Sequence, residues 1–514
     1  MSLRIGIDVG GTNTDGVLMS GREVLAWAKR PTSRDVTGGI RAVLQALLAE
    51  RGVEPREIGA VMIGTTHFTN AVVQRKGLTP TAVVRLCLPA GSAVPPLFDW
   101  PRELRAALGD HAFLVRGGNE FDGREISPLD EAGLRRVAGE LRGRGVRAVA
   151  VVGVFSPVAP EHEERAAALL RSELPDADVA VSHEIGRVSL LERENAAALN
   201  ASLVALARRT LGAFRTALAE QGLAAPLYVS QNDGTLMSAD YAERYPVLTF
   251  SSGPTNSMRG AAFLSGLADA LVVDVGGTTT DVGVLAGGFP REASFAVNIG
   301  EVRTNFRMPD LLSIGLGGGS LVRDGGARVG PDSVGFELTE RALVFGGREL
   351  TASDVAVAAG RAEMGDPARV KRLDRALVGR ALAAIKQTVE TAIDQIKTSP
   401  APLPVILVGG GSVLLDDGIA GASSVLKPEH YRVANAIGAA IAQVSGEVDQ
   451  VYAMEGRTRE SVLGEAQAAA RARAIEAGAD LASVEVVDID EIPLTYLPSN
   501  ALRVRIKTVG ELKL

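Results

Sequence analysis

Residues 5–18 read IGIDVGGTNTDGVL, and residues 272–285 read VVDVGGTTTDVGVL. Each copy has an apolar run of strand length, then Asp-Val-Gly-Gly-Thr, then Thr-Asp and a second apolar run. Such β-branched runs are typical of strands, and the paired glycines fit the tight turn of a hairpin. Because the copies open the two halves of the chain, they indicate a duplicated α/β architecture.

The remaining patterns divide the chain into four predicted parts. Residues 186–221 form a long helical stretch without proline, and an apolar strand follows at 403–408. Residues 89–116 contain four prolines and are predicted to be irregular. We predict an N-terminal lobe over residues 1–186, a linking helix over 187–222, a second lobe over 223–445 and a small α+β C-terminal appendage over 446–514.

Composition limits the classes of protein that fit the sequence. The 514 residues carry a net charge of -7 and are 46% hydrophobic, which indicates a folded multidomain protein. The acidic balance argues against nucleic-acid binding, and no apolar run approaches the length of a membrane span. Cys87 is the only cysteine, so no intramolecular disulfide forms, and we expect this thiol to be buried. With no signal-peptide pattern at the N-terminus, we expect a cytoplasmic protein without membrane partners.

The two glycine turns have the composition of phosphate-binding loops. Glycines let backbone N–H groups approach an anion closely, and threonine hydroxyls add hydrogen bonds. Asp8 and Asp274 end the first strand of each hairpin and can hold Mg²⁺ through water. The alternative is a plain hairpin turn without a ligand. The predicted phosphate contacts are Gly10, Gly11, Thr12, Asn13, Gly276, Gly277, Thr278 and Thr279.

The chain has two further glycine clusters, at residues 409–412 and 315–320. Gly409, Gly410, Gly411 and Ser412 follow the apolar strand at 403–408, where an adenine or ribose can lie flat on the backbone. Residues 315–320 lack the G-x-G-x-x-G spacing of a dinucleotide-binding turn. The chain also lacks a P-loop sequence.

Two such hairpins followed by a later glycine cluster resemble the layout of the actin-like ATPase superfamily, which includes sugar kinases, Hsp70-type chaperones and actin. This resemblance implies two duplicated lobes around a nucleotide cleft. It further implies that both hairpins hold the phosphates of ATP, and that residues 408–412 hold adenosine.

Ordered short matches make the chain similar to the A subunits of the hydantoinase/oxoprolinase family over most of residues 1–445. The matching segments are Gly64-Thr65-Thr66, Thr69-Asn70-Ala71, Leu191-Glu192-Arg193-Glu194, Asn200-Ala201, Ser252-Gly253-Pro254, residues 313–320, residues 329–333 and Asn435-Ala436-Ile437-Gly438. The resemblance implies ATP- and Mg²⁺-dependent opening of hydantoins, 5-oxoproline or lactams through phosphorylation of the carbonyl oxygen. Relatives that carboxylate ketones at the expense of ATP are the first alternative.

The resemblance also implies candidate roles for individual residues. Asp8 and Asp274 are assigned to Mg²⁺-bound water or to general-base catalysis, and the choice between them stays open. The candidate substrate contacts are Thr65, Thr66, His67, Asn70 and Arg193. The alternatives are a hydrogen-bonded loop histidine for His67 and an exposed or interdomain ion pair for Arg193.

Two departures from the family pattern affect the expected activity. Thr255-Asn256-Ser257 stand where family members commonly have glycines, and the larger A subunits of the family are longer than this chain. We therefore expect a hetero-oligomer with a B-type subunit on a separate chain. A small-molecule kinase, and a regulatory nucleotide-binding ATPase without a small-molecule substrate, are the remaining alternatives.

Overall fold

The computed structural model describes residues 3–32, 36–186, 188–293, 297–306, 308–494 and 501–513. The helices are α1 (Val36–Arg51), α2 (His67–Val73), α3 (Arg102–Leu108), α4 (Glu131–Gly143), α5 (Glu161–Glu173), α6 (Leu190–Glu220), α7 (Ala239–Arg244), α8 (Ser252–Ser265), α9 (Leu338–Arg341), α10 (Ala352–Ala358), α11 (Arg375–Ile396), α12 (Ala434–Ala440) and α13 (Arg459–Glu476). The strands are β1 (Leu3–Val9), β2 (Asn13–Ser20), β3 (Glu23–Pro31), β4 (Ile58–Thr65), β5 (Thr81–Leu88), β6 (His111–Arg116), β7 (Ala148–Gly153), β8 (Asp178–Val181), β9 (Leu227–Ser230), β10 (Leu236–Ser238), β11 (Ala270–Val275), β12 (Thr280–Ala286), β13 (Phe289–Pro290), β14 (Val297–Ile299), β15 (Val302–Thr304), β16 (Leu311–Ile314), β17 (Ser320–Arg323), β18 (Arg328–Ser333), β19 (Leu403–Val408), β20 (Ala422–Leu426), β21 (Val444–Tyr452), β22 (Glu485–Leu494) and β23 (Ala501–Gly510).

The first hairpin lies in a nine-stranded sheet with the strand order β22-β23-β21-β10-β9-β4-β1-β2-β3. β1 pairs antiparallel with β2, which places Asp8 opposite Asp15. On its other side β1 pairs parallel with β4, and Asp8 lies beside Gly64. β1 is buried from Ile5 to Val9 because α1 covers one face of the sheet and α12 packs against the other. Ile5, Ile7 and Val9 pack with the apolar residues of α1, and a methyl group at Gly6 would lie 2.2 Å from the carbonyl oxygen of Ala436 in α12.

The second hairpin repeats this arrangement in a six-stranded sheet with the order β13-β12-β11-β19-β20, where β16 also pairs with β12. β11 pairs antiparallel with β12, so Asp274 lies opposite Asp281. It pairs parallel with β19, so Asp274 also lies beside Val408. Each lobe therefore has a glycine-turn hairpin flanked by one parallel strand, which confirms the predicted duplicated α/β fold.

Helices α8 and α12 join the two sheets through an unusually close contact. A methyl group placed at Gly260 of α8 would lie 1.9 Å from the carbonyl oxygen of Ala434. One placed at Gly438 of α12 would lie 1.8 Å from the carbonyl oxygen of Asn256. Only glycine fits at these two crossings, since a Cβ atom would overlap backbone atoms.

The predicted linking helix is present as α6, which connects the nine-stranded sheet to a third sheet. This third sheet is parallel, in the order β6-β5-β7-β8. The first half of α6 packs on it through Ala197 and Leu199, whereas Phe214 and Leu218 pack on the nine-stranded sheet. Within the third sheet, Cys87 is fully buried, as expected.

The segment 89–116 is not irregular throughout, in contrast to the prediction. After Pro101 the chain forms α3 and then β6. Leu104 and Leu108 bury one side of α3, and Gly109 ends it in the left-handed region at φ 89°. The prolines stop before this helix, so they do not interrupt it.

In the described part of residues 446–514, the strands continue the first sheet. β21 pairs parallel with β10 and antiparallel with β23, which in turn pairs with β22. Helix α13 covers these strands, and its Val462 and Ala470 pack against Val504 and Ile506. The boundary at residue 445 thus falls inside the first sheet, and the predicted division into folding units stays a prediction.

The long helices are amphipathic rather than uniformly apolar. Across the part of the chain that the structure describes, none of them combines the length and the hydropathy of a membrane span.

Candidate functional site

The two hairpin turns have the same backbone geometry. The N–H of Gly10 donates to the carbonyl oxygen of Asn13 at 3.0 Å, and the N–H of Gly276 donates to that of Thr279 at 2.9 Å. Gly11 at the first tip is exposed, and a methyl group there would meet no atom within 4 Å. The first tip therefore presents the backbone of Gly11 to open space, as an anion-binding turn requires.

The tip of the first hairpin contacts the tip of the second. A methyl group at Gly277 would lie 2.4 Å from Oγ1 of Thr12. The Thr12 hydroxyl is buried and has no hydrogen-bond partner within the described residues. The structure thus brings the two predicted phosphate-binding turns together at one place.

The glycine cluster at 315–320 supports the second tip, a role that the sequence analysis missed. The N–H of Gly318 donates to the carbonyl oxygen of Gly276 at 3.0 Å, and the N–H of Gly319 donates to that of Gly277 at 2.7 Å. A methyl group at Gly317 would lie 2.6 Å from the backbone of Thr278. The only signal in the sequence was the density of glycines, because the contact joins segments about 40 positions apart.

Asp8 is buried at the base of the first tip, with 4% of its surface exposed. The side-chain amide of Asn435 donates to Asp8 Oδ2 at 3.0 Å, whereas Oδ1 has no partner in the described residues. Burial, together with the negative charges of Asp15 and Asp274, raises the pKa of Asp8 to about 8. A carboxyl with so high a pKa is mostly protonated at neutral pH when no cation is bound.

Lys29 of β3 is the cation nearest to these carboxylates and was not singled out from the sequence. Its Nζ donates to Asp15 Oδ2 at 2.8 Å and to the carbonyl oxygen of Arg432 at 3.3 Å. A methyl group at Gly410 would lie 3.6 Å from the same Nζ. Lys29 therefore links the first hairpin to the glycine cluster of the second lobe. The sequence does not show this role, because it depends on the pairing of β2 with β3 that places Lys29 opposite Asp15.

Asp274 and Asp281 repeat the first pair of carboxylates in the second hairpin. Burial raises the pKa of Asp274, and burial together with Asp274 raises that of Asp281 to about 7. The charges of Asp15 and Lys29 also act on Asp274. The acidic groups of the two lobes thus share one electrostatic environment.

Several buried oxygen atoms near Asp8 lack a hydrogen-bond partner in the described parts of the chain. They are Asp8 Oδ1, Asp15 Oδ1, Asn256 Oδ1 and Asn435 Oδ1. An unsatisfied buried polar group costs about 1–3 kcal/mol, and carboxylate and amide oxygens are the ligands that Mg²⁺ prefers. The described ranges contain no group of three or more His, Cys, Asp or Glu that could hold a metal ion by itself, so water would have to supply most of the ligands. The donor set therefore fits a Mg²⁺ ion that keeps several of its waters.

The cluster Gly409–Ser412 follows β19 and packs against the second hairpin. Gly409 has φ 83°, and a methyl group there would lie 2.2 Å from Asp274 Oδ1. One at Gly411 would lie 2.8 Å from the carbonyl oxygen of Gly276. The Ser412 hydroxyl donates to the carbonyl oxygen of Gly409 at 2.9 Å, which closes the turn. The predicted adenosine motif thus adjoins the predicted phosphate site.

Four of the candidate substrate contacts lie together where β4 ends and α2 begins. Thr65 lies beside Val9 in the sheet, and its hydroxyl accepts from the N–H of His67 at 3.2 Å. Asn70 donates through its side-chain amide to the Thr66 hydroxyl at 3.4 Å. Burial lowers the pKa of His67, which favours its neutral form. This segment reaches the hairpin through Gly253, where a methyl group would lie 3.5 Å from Thr66 and 3.8 Å from Asp8 Oδ1.

Arg193, the fifth candidate, contacts a different part of the molecule. Its guanidinium donates to the hydroxyl of Ser182 at 2.8 Å and to the carbonyl oxygens of Val188 and Gly153. It is fully buried where α6 meets the third sheet. The structure does not bring Arg193 to the hairpin tips, and its donors are used in holding this junction.

Comparison with known protein families gives two matches. The profile of the hydantoinase/oxoprolinase N-terminal region matches residues 4–174, and the profile of hydantoinase/oxoprolinase matches residues 193–396. Together these matches cover all the hairpin, Asp8, Asp274 and α2 residues described above.

Individual relatives and one solved structure agree with these matches. The chain is 29% identical over 432 residues to the caprolactamase subunit alpha of Pseudomonas jessenii, covering 77% of this chain and 58% of that protein. It is 29% identical over 394 residues to the acetophenone carboxylase gamma subunit of Aromatoleum aromaticum, covering 69% and 53%. The crystal structure of the ATP-dependent caprolactamase from Pseudomonas jessenii shares the fold, with a TM-score of 0.77 and 22% identity over 99% of this chain and 88% of that one. The chain thus spans less than two thirds of the length of these two curated relatives.

Proposed function

Because this chain belongs to the hydantoinase/oxoprolinase family, we propose that it is the ATP-using subunit of an enzyme that opens cyclic amides. The observation that carries the proposal is the contact between the two hairpin tips, Thr12 against Gly277. Two anion-binding turns that face one space, with buried carboxylates behind both, suit the phosphates of a nucleotide.

In this proposal the two turns bind the phosphates of ATP from opposite sides. The phosphate contacts are Gly10, Gly11, Thr12, Asn13, Gly276, Gly277, Thr278 and Thr279, and the adenosine contacts are Gly409, Gly410, Gly411 and Ser412. The free hydroxyl of Thr12 supports this assignment, because a phosphate oxygen would supply its missing partner. Lys29 adds a positive charge between the hairpin and the adenosine cluster.

Asp8 and Asp274 would hold Mg²⁺ through water, as the unpartnered oxygens near Asp8 support. When bound, the ion neutralises negative charge on the phosphates and orients them. Asn435 keeps the Asp8 carboxylate in place through its bond to Oδ2. The protein thereby positions charge rather than supplying covalent chemistry.

The proposed reaction follows from the stability of an amide. A lactam carbonyl is a poor electrophile, and its nitrogen is a poor leaving group. Transfer of the γ-phosphoryl group to the carbonyl oxygen, with ADP leaving, makes the ring carbon open to attack by water. Departure of the ring nitrogen from that carbon opens the ring and leaves an acyl phosphate, and a second water then hydrolyses the acyl phosphate to the amino acid and phosphate. Thr65, Thr66, His67 and Asn70 would orient the cyclic amide beside the phosphates, since Thr66 and Asp8 both lie against Gly253.

Phosphate release from Mg-ATP tests the proposal directly. We expect one cyclic amide from a panel of 5-oxoproline, hydantoins and lactams to raise the rate, and the opened amino acid to form in a 1:1 ratio with phosphate. ATP binding without stimulation by any cyclic amide, both alone and with a B-type chain present, would contradict it.

A second function is favoured by the similarity to the acetophenone carboxylase gamma subunit. In that case the same ATP site would serve the carboxylation of a ketone. The two functions separate in one assay, because a ketone together with bicarbonate, and no cyclic amide, would then raise phosphate release.

A partner of the B type is part of the proposal, since the curated relatives named above are subunits. We expect the two chains to co-elute as a stoichiometric complex in size-exclusion chromatography. An ATP-consuming reaction also agrees with the cytoplasmic location expected from the sequence.

A further inference from the structure

A cavity of 570 Å³ lies at the far ends of the strands that carry the hairpin tips. Arg4 in its wall stands near the start of β1, whereas Gly10 follows the end of that strand. Six residues of strand span about 20 Å, so the cavity is separate from the proposed ATP site. Helix α8 connects the two places, because Gly253 lies against Asp8 and Gly266 lines the cavity.

The walls of this cavity come from both lobes. The nine-stranded sheet contributes Arg4 and the β2–β3 turn with Arg22, and the six-stranded sheet contributes Phe289. The last turns of α8 form the wall between them through Arg259 and Phe263. An occupant would therefore contact both lobes and α8 at once.

The side chains that line the cavity carry more positive than negative charge. Three arginines line it, Arg4, Arg22 and Arg259, against one carboxylate, Glu511. Glu511 lies 3.8 Å from Arg4 and accepts from Gln443 at 3.2 Å. In the described residues Arg22 and Arg259 contact phenylalanine rings rather than forming a direct ion pair, although the charges of Asp233 and Glu511 also act on Arg259. The cavity thus holds more guanidinium groups than carboxylates.

Both of these guanidinium groups lie over phenylalanine rings. Arg22 lies 4.6 Å from the ring centre of Phe263, and Arg259 lies 4.8 Å from that of Phe289. Burial lowers the pKa of Arg259 by more than the charges of Asp233 and Glu511 raise it. Stacking holds the planar faces and leaves the N–H edges available to an anion.

The adjoining cavity of 340 Å³ differs from the first in the pairing of its cations. It shares Arg259 and Phe289 with the first. Its other cations are paired, Lys507 with Asp233 at 2.6 Å and Arg505 with Asp488 at 2.8 Å. Among the cations that line the two cavities, Arg22 and Arg259 therefore differ in forming no direct ion pair within the described residues.

We propose that the 570 Å³ cavity is a binding site for a small organic dianion with an apolar or aromatic body, held by Arg22 and Arg259. Two negative charges match the two guanidinium groups, and a ring or chain fits against Phe263, Phe289 and Ile441. The volume lies within the range of small-molecule sites, about 300–1,000 Å³. Since the walls belong to both lobes, the bound dianion would also alter how readily the lobes close on ATP.

Calorimetric titration of the full chain with three probes tests this site. Phthalate carries a ring and two carboxylates, sulfate is a bare dianion, and dimethyl phthalate is the neutral ring. We expect one phthalate to bind per chain. Sulfate should bind at least about tenfold more weakly, and dimethyl phthalate should not bind. Absence of phthalate binding, or equal binding of phthalate and its dimethyl ester, would overturn the proposal.

Variants locate the binding. Arg22→Met and Arg259→Met keep an unbranched apolar stem on each ring and remove the charge. Each is expected to weaken phthalate binding about tenfold or more, a change of about 1.4 kcal/mol. Arg457→Met is the matched control, because Arg457 also stacks on a ring, that of Tyr452, but has Glu465 as its partner.

A second control separates this site from the hairpins. Asp8→Asn changes the proposed ATP site and should leave phthalate binding at the wild-type affinity. If Asp8→Asn weakens phthalate binding while both arginine variants retain it, the dianion binds at the hairpins and the proposed cavity site is wrong.

Discussion

Thr12 at the tip of the first hairpin lies in contact with Gly277 at the tip of the second. A methyl group at Gly277 would lie 2.4 Å from Oγ1, 2.7 Å from Cβ and 3.0 Å from Cγ2 of Thr12. Two turns that lie 265 positions apart in the sequence therefore meet with no room for even one more carbon atom. This contact sets the separation of the two anion-binding turns, and with it the width of the proposed phosphate site.

Gly277→Ala should lower ATP turnover about 100-fold, because the added methyl group forces the two tips apart. The measurement is phosphate release from Mg-ATP, compared with Gly139→Ala. Gly139 lies in α4, where a methyl group would meet nothing within 4 Å. Wild-type turnover in Gly277→Ala would mean that the spacing of the tips does not govern the reaction.

Asp8→Asn and Asp274→Asn should each reduce ATP turnover by about 100-fold or more, since each removes a charge that orients the metal or a water. The folded structure should persist, because asparagine has the same shape and removes a buried charge. Thermal unfolding and phosphate release are measured on the same preparations, with Asp417→Asn as the exposed control. Full turnover in both buried variants would show that the reaction does not occur between the two hairpins.

The elements around these two aspartates could be predicted because their sequence signals are local. The apolar runs and paired glycines of residues 5–18 and 272–285 fix a strand, a turn and a second strand without reference to the rest of the chain. Strand β19 follows from the same kind of run. The long helix α6 follows from helical spacing uninterrupted by proline.

The parts that could not be predicted depend on contacts between distant segments. Lys29 belongs to the site because strand pairing places it opposite Asp15. Gly318 and Gly319 belong to it because their N–H groups donate hydrogen bonds to the second tip. The C-terminal strands look like an independent unit in sequence, and only their pairing with β10 joins them to the first sheet. Arg193 lies in a segment shared with the family, and its sequence does not distinguish a buried structural arginine from one that binds substrate.

The raised pKa of Asp8 predicts a specific dependence of stability on pH. The folded chain holds this proton up to about pH 8, whereas the ordinary pKa of an aspartate carboxyl is 3.8. The contribution of Asp8 to the free energy of unfolding is therefore fully present below about pH 4 and is lost as the pH rises towards 8. The unfolding midpoint of the wild type should fall relative to that of Asp8→Asn across this interval.

Thermal unfolding of both proteins at a series of pH values, without nucleotide or metal, measures this difference. Asp417→Asn again serves as the exposed control. A constant offset between the wild type and Asp8→Asn would mean that Asp8 titrates near its ordinary value.

Glu194→Ala should destabilise the chain by about 3–5 kcal/mol, because it leaves the Arg85 guanidinium buried without its partner. Arg85 donates from Nε and Nη2 to both carboxylate oxygens of Glu194 at 2.6 Å, and both side chains are at most 2% exposed. Urea-induced unfolding gives the change, with Glu131→Ala as the control. Glu131 pairs with Arg165 at the surface, where the loss should be about 0–1 kcal/mol. The double variant Arg85→Met/Glu194→Leu should recover most of the stability, since it removes both buried charges together. If Glu194→Ala costs no more than Glu131→Ala, the pair does not hold α6 to the third sheet.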